Sequence, residues 1–131
     1  MMQKVHTDLA PAAIGPYTQA IVKGALVFTS GQIPIDPAVG DITAVTIEEQ
    51  TEQVCKNLAA VLKQAGSSLE GAVKTVCFLK NMEDFAAFNG VYARYFTGKP
   101  ARSCVAVKEL PKGALVEIEV IAERNADHEC Q

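Results

Sequence analysis

The sequence predicts an α+β fold in which one mostly antiparallel sheet carries two helices on one face. Three observations predict it. Residues 114–122 alternate, with Ala114, Val116, Ile118, Val120 and Ala122 on one side of the chain. Two other stretches repeat their apolar residues at three and four, one through Val54, Leu58, Val61, Leu62 and Ala65, the other through Phe85, Phe88, Tyr92 and Phe96. Between and around these lie further short apolar runs bounded by Gly and Pro, so that the elements follow the order ββαβαββ.

Taken in order, residues 1–15 read as an N-terminal arm, because Pro11, Gly15 and Pro16 block a helix. The stretch YTQAIVKGALVFTSG reads as two strands joined by a tight turn around Lys23 and Gly24. IPIDPAVGD, with two prolines and a glycine, reads as a loop. Thr46 is placed as an N-cap, with Glu49 three residues later completing a capping box and Gly66 as the stop. AVKTVCFLKN is the next strand, and MEDFAAFNGVYARYF the second helix, ended by Gly98 and Pro100. Strands over 101–108 and 114–122, joined by ELPKG, complete the unit, with residues 123–131 as a C-terminal tail.

The 131 residues are enough for one domain, taken here as 1–131, and 49% hydrophobic against 21% charged composition suits a packed core rather than a disordered chain. A net charge of −3 argues against a nucleic-acid binder, whose phosphate contacts need a basic surface. No apolar run approaches the roughly 20 residues of a membrane span, and the N-terminus shows no signal-peptide core, so a cytoplasmic location is expected. Cys55, Cys77, Cys104 and Cys130 form no CxxC motif and are read as reduced thiols. His6 and His128 lie near opposite ends and are read as solvated tail residues, so no metal site is expected.

Two helices cover only one face of a sheet. Strands 25–30 and 73–79 are apolar on both sides, so the second face needs another cover, and a copy of the same chain is the simplest. A homo-oligomer is therefore expected. By the alternation of PARSCVAV, Ser103, Val105 and Val107 are assigned to the core and Arg102, Cys104 and Ala106 to the second face, beside Glu117 and Glu119 across a hairpin. An ordinary reading is a cross-strand ion pair worth about 0.2–1 kcal/mol. The sharper reading is a site in which the guanidinium grips a small carboxylate-bearing molecule and a nearby glutamate polarises water. Ser30 and Gly31, after a strand, offer hydrogen-bond donors or simply a turn. Tyr17 caps a pocket or packs, Asn89 interrupts the aromatic stripe or is plain surface, and Cys104 is a pocket wall rather than a reactive thiol.

PARSCVAVKELPKGALVEIE, together with AAIGPYTQAI, TSGQIPIDP and DFAAFNGVYARYF, resembles the signature stretches of the Rid (YjgF/YER/UK-type) family of reactive-intermediate deaminases, over residues from about Ala12 to Ala122. The resemblance implies a chorismate-mutase-like sandwich assembled as a homotrimer with clefts between subunits. It also implies hydrolysis of 2-imino acids, such as 2-iminobutanoate and 2-iminopropanoate, to 2-oxo acids and ammonia, without metal or organic cofactor. On the matching positions, Arg102 holds the substrate carboxylate, Glu117 orients the attacking water, and Tyr17, Ser30, Gly31, Asn89 and Cys104 line the cleft. One departure stands out: family members commonly carry an aromatic residue just before the proline of PAR, where this chain has Lys99. Two rivals are a non-catalytic trimer that senses 2-oxo acids, and an RNA-cleaving factor, the latter opposed by the acidic balance and the lack of a histidine acid–base pair.

Overall fold

In a computed structural model, which describes residues 2–125, the chain forms a six-stranded sheet with two helices packed on one face. The strands are β1 (Met2–Val5), β2 (Ala20–Lys23), β3 (Leu26–Thr29), β6 (Ala72–Leu79), β7 (Ala101–Ala106) and β8 (Val116–Glu123), in the spatial order β1-β2-β3-β8-β6-β7. A separate two-stranded ribbon joins β4 (Ile35–Asp36) and β5 (Asp41–Ile42). The helices are α1 (Ile47–Gln64) and α2 (Phe85–Tyr95). The α+β class and the single helical face follow the expectation. His128, Cys130 and residues 126–131 of the expected tail lie outside the described residues.

Local chemistry accounts for the boundaries. Lys23 pairs with Leu26 across a two-residue turn in which Gly24 takes φ +60°, a left-handed backbone that glycine adopts without penalty. Thr46 Oγ1 accepts from the Glu49 amide at 3.1 Å, and the Glu49 carboxylate accepts in return from the Thr46 amide at 3.2 Å, closing the capping box. The helix ends at Ala65 and Gly66, the latter at φ +81°. A turn of 3-10 helix over Met82–Asp84 leads into α2, so that helix proper is shorter at its start than its apolar pattern suggests.

The core lies between the helices and the β3-β8-β6 centre of the sheet. Val54, Leu58, Val61 and Leu62 from α1 and Phe88 from α2 meet Val27, Cys77, Leu79, Val116 and Ile118, all fully buried. Each such side chain contributes roughly 1.5–3 kcal/mol by leaving water. Alternation along β8 is as expected, with Val116, Ile118, Val120 and Ala122 buried and Glu117, Glu119 and Ile121 on the opposite face.

Three features depart from the expected order. Met2–Val5, within the segment read as an arm, forms edge strand β1 against β2. The arm that follows is pinned by Gln19, whose buried amide accepts from the Thr7 backbone N–H at 2.7 Å and donates to the carbonyls of Thr7 at 3.0 Å and Pro11 at 2.8 Å. The loop at 33–42 gains the β4–β5 ribbon despite its prolines. Most consequentially, 101–106 and 116–123 are not a hairpin. β7 pairs with β6 in parallel, and β6 stands between β7 and β8. The segment after β7 instead rounds the end of β6, with Val107 donating to Leu79 O at 2.9 Å and Lys80 to Leu115 O at 3.0 Å.

Candidate functional site

The parallel pairing decides which way Arg102 faces. Thr75 stands opposite Arg102, Cys77 opposite Cys104 and Leu79 opposite Ala106. Thr75, Cys77 and Leu79 are buried under the helices, so Arg102 and Cys104 also lie on the helical face, and Ser103 and Val105 on the open one. The expected facing of β7 is thus reversed. Its physical cause is the crossover through α2: alternation shows which residues share a side, but only the pairing partner says which side that is.

At the sheet edge the Arg102 guanidinium lies within reach of the rings of Tyr92 (4.8 Å from centroid to Cζ), Phe85 (5.4 Å) and Phe88 (6.0 Å). Its Nη1 donates to Asn89 Oδ1 at 2.6 Å. Phe85, Asn89 and Tyr92 follow at intervals of four and three, one stripe of α2. Tyr92 is itself fixed by a 2.7 Å hydrogen bond between its hydroxyl and that of Thr75, and by stacking on Phe96 at 4.5 Å. Among the described residues Arg102 forms no ion pair. A half-buried cation oriented by an amide and aromatic rings, with no carboxylate of its own, is a ready receptor for an external anion. The expected cross-strand pair with a glutamate is absent because β6 intervenes.

Beside the guanidinium opens a cavity of about 330 Å³, whose walls include Asn89, Tyr92, Phe96, Lys99 and Arg102. Lys99 takes φ +52°, a left-handed backbone that costs a residue with a side chain about 1 kcal/mol. Its amide donates to Phe96 O at 3.2 Å, fixing the turn between α2 and β7. Cys104 is half-buried against the core, and burial raises its thiol pKa despite the neighbouring Arg102 charge. Burial pushes Cys77 up to about 12. Cys55, Cys77 and Cys104 are free thiols, and their shifts favour the protonated, unreactive form.

A second cluster forms on the open face. Glu117 is half-buried there, and burial together with the nearby Glu119 raises its carboxyl pKa. Gly31 lies directly against it: a β-carbon at position 31 would stand 2.9 Å from the Glu117 carboxyl carbon. Only glycine leaves room for that approach. The strand passes close because Gln32 bridges Ile118 through both backbone hydrogen bonds, at 2.9 and 3.2 Å. Ser30 is turned inward, its hydroxyl donating to Thr18 O at 2.5 Å, so that oxygen is already engaged. Tyr17, one residue further along, is exposed.

The residues singled out from the sequence therefore fall into two groups. Arg102, Asn89 and Cys104 share the helical face, and Gly31 and Glu117 meet on the open face, with Ser30 and Tyr17 on the adjoining segments. Within one chain the two groups do not converge. Arg102 and Glu117 stand two strands apart, about 9.6 Å, are offset by about 10 Å along the strands, and point to opposite faces. Sequence reading missed the aromatic setting of Arg102, because Phe85, Phe88 and Tyr92 look like ordinary core at helical spacing. The signal was Asn89 lodged among them. It also missed Gln19 as the clamp on the arm. Among the described residues, no three His, Cys, Asp or Glu side chains gather in a manner that would hold a metal.

Fold and site together define a small α+β protein that presents at a sheet edge an arginine with no ion-pair partner among the described residues, and a burial-perturbed glutamate on the far face. Comparison with known proteins gives that class a family. The family model described as Endoribonuclease L-PSP matches residues 7–124. A RutC family protein of Pyrococcus horikoshii is 50% identical over 123 residues, covering 93% of this chain and 98% of that one. The crystal structure of YyfA from Yersinia pestis, described as a protein of unknown function of the conserved Rid family, superposes with a TM-score of 0.91 at 51% identity, covering 94% of this chain and 99% of that one. E. coli TdcF with bound serine superposes with a TM-score of 0.89 at 40% identity, with 94% and 99% coverage. The chain belongs to the Rid/YjgF family, whose family model carries the L-PSP description.

Proposed function

We propose that this protein is a hydrolytic deaminase that converts 2-imino acids to 2-oxo acids and ammonia, working as a homotrimer in the cytoplasm. The observation that carries the reading is the Arg102 guanidinium, half-buried, braced by Asn89 and Tyr92, and paired with no carboxylate among the described residues. Such a group is built to bind a carboxylate through two parallel hydrogen bonds.

The separation of Arg102 from Glu117 supports assembly. A ligand held by one chain's Arg102 meets a Glu117 only if a neighbouring copy supplies it. The open face has the character of a buried surface, with Phe28 40% and Val105 47% exposed around half-buried Val76 and Phe78. A trimer that packs these faces together would close three clefts, each with Arg102, Asn89 and Cys104 from one chain and Tyr17, Ser30, Gly31 and Glu117 from the next.

The chemistry needs little more. A protonated imine is already electrophilic. The Glu117 carboxylate accepts a proton from water as its oxygen bonds to C2, and the C=N π pair moves to nitrogen. Glu117 returns that proton to the nitrogen of the resulting carbinolamine; the C–N bond breaks with its pair going to nitrogen, C=O forms as the hydroxyl gives its proton back to the Glu117 carboxylate, and ammonia leaves the 2-oxo acid, Glu117 finally passing the proton to solvent. The raised pKa of Glu117 makes it a stronger base than an ordinary carboxylate.

Coupling a threonine dehydratase to semicarbazide trapping tests the reading. Adding the protein should lower the trapped imine and speed release of 2-oxobutanoate. Unchanged trapping at stoichiometric protein overturns it. A 2-oxo-acid sensor would bind the product acid without altering trapping. The RNA-cleaving alternative draws on the name of the family model; the net charge of −3 stands against it, and nuclease activity that survives Arg102→Ala in purified protein would revive it.

A further inference from the structure

We propose that Lys99 makes this site selective for 2-imino dicarboxylates of four or five carbons over the short monocarboxylates. The inference rests on the deaminase reading for the identity of the reacting group, and on the cavity for the charge of the rest of the molecule. Two cations, Lys99 and Arg102, line one space of about 330 Å³, and among the described residues no acidic one lines it with them. Arg102 is oriented by Asn89 and the α2 rings, so a carboxylate beside the reacting carbon satisfies it. A monocarboxylate leaves the lysine charge unanswered. A diacid places its far carboxylate where a second cation waits. Positions 99 and 102 are three residues apart, at most about 10 Å, and both side chains are long, so their charged ends can approach the two ends of a short diacid.

The backbone adds an independent observation. Lys99 sits at φ +52°, a conformation suited to glycine, with Gly98 immediately before it and Pro100 after. A side chain retained at a strained position, on the wall of a cavity, points to use of that side chain. As a surface residue, Lys99 would be mere solvation; that alternative predicts no effect on ligand choice.

The test compares wild type with Lys99→Gly and Lys99→Arg. Glycine suits the observed φ, so this variant keeps the turn, and thermal melting confirms that it folds. Affinities for 2-oxobutanoate and 2-oxoglutarate are measured by calorimetry. Turnover is measured on imines generated in situ from 2-aminobutanoate and glutamate by an amino-acid oxidase with catalase. Wild type should bind the diacid about fivefold more tightly at low salt, with the preference shrinking as salt rises, because Lys99 is exposed. Lys99→Gly should bring the ratio of the two affinities close to one, and Lys99→Arg should preserve it. Equal affinities in wild type, or a preference that survives Lys99→Gly, overturns the assignment even if both imines are hydrolysed. A preference that disappears in Lys99→Gly upholds it even if neither imine is hydrolysed, in which case it is the deaminase reading that falls.

Discussion

Arg102 combines two properties that sequence alone separates: permanent charge and, among the described residues, no carboxylate to answer it. Arg102→Ala should lower kcat/KM for an imino acid by about 10²–10³, the usual loss on removing a charged anion-binding group, while shifting unfolding free energy by no more than about 1 kcal/mol, since Asn89 is half-exposed and water can replace its donor. Steady-state kinetics and urea melts check the two halves, and a collapse of the fold would show the arginine to be structural. Glu117 carries the opposite tension. Its pKa is raised, so the folded chain favours the protonated form; stability from this group is full below the unfolded pKa and is lost as pH rises through the folded one. Catalysis as a base needs the ionised form, which appears only above that raised value. Glu117→Gln should therefore raise Tm at pH 7 while lowering kcat, and should abolish the acid limb of the wild-type pH–rate profile, a limb expected at higher pH than an unperturbed carboxylate would give. At this scale the sequence singled out Arg102 and Glu117 by residue type; their surroundings, such as Asn89 beside Arg102, came from a helix whose stripe resembles plain core.

Elements differ in how much of themselves they reveal. The capping box at Thr46 and the stop at Gly66 were readable because both act within four residues of chain. Thr46→Ala should cost about 1 kcal/mol, measured by chemical denaturation. β8 was readable because it is buried on one face only, so its period shows. β7 was not. As an edge strand it buries neither face fully, and its apolar Val105 is 47% exposed, so hydropathy could not tell inside from outside. The short link to β8 invited a hairpin, whereas a helix between β6 and β7 had already committed them to parallel pairing. Gln19 shows another limit: a polar residue at the head of a strand gives no sign that it will be buried to hold residues 7–11. Gln19→Ala should leave those backbone groups without partners, cost about 2 kcal/mol, and speed amide exchange at Thr7 while leaving α1 protected.

The whole molecule was legible as a class, because one alternating strand and two helical stripes imply a sheet with helices on one face. Which residues would meet across the proposed subunit contact was not, since a register between chains leaves no periodic trace in one of them. The proposed trimer makes a specific demand. Arg102→Ala and Glu117→Gln proteins, each strongly impaired alone, should regain activity after mixing under conditions that let subunits exchange, to about a quarter of the wild-type site number in an equal mixture. No recovery, with exchange verified by mass spectrometry, would place both groups in the same chain's site. Such a division of labour between the two faces of the sheet would have a consequence for inheritance of damage. Blended equally with sound copies, a chain lacking only its arginine would spare about half the crevices, but a chain lacking both groups would spare about a quarter. Two lesions on one chain would thus poison the blend more than one, although either lesion by itself already silences the pure protein.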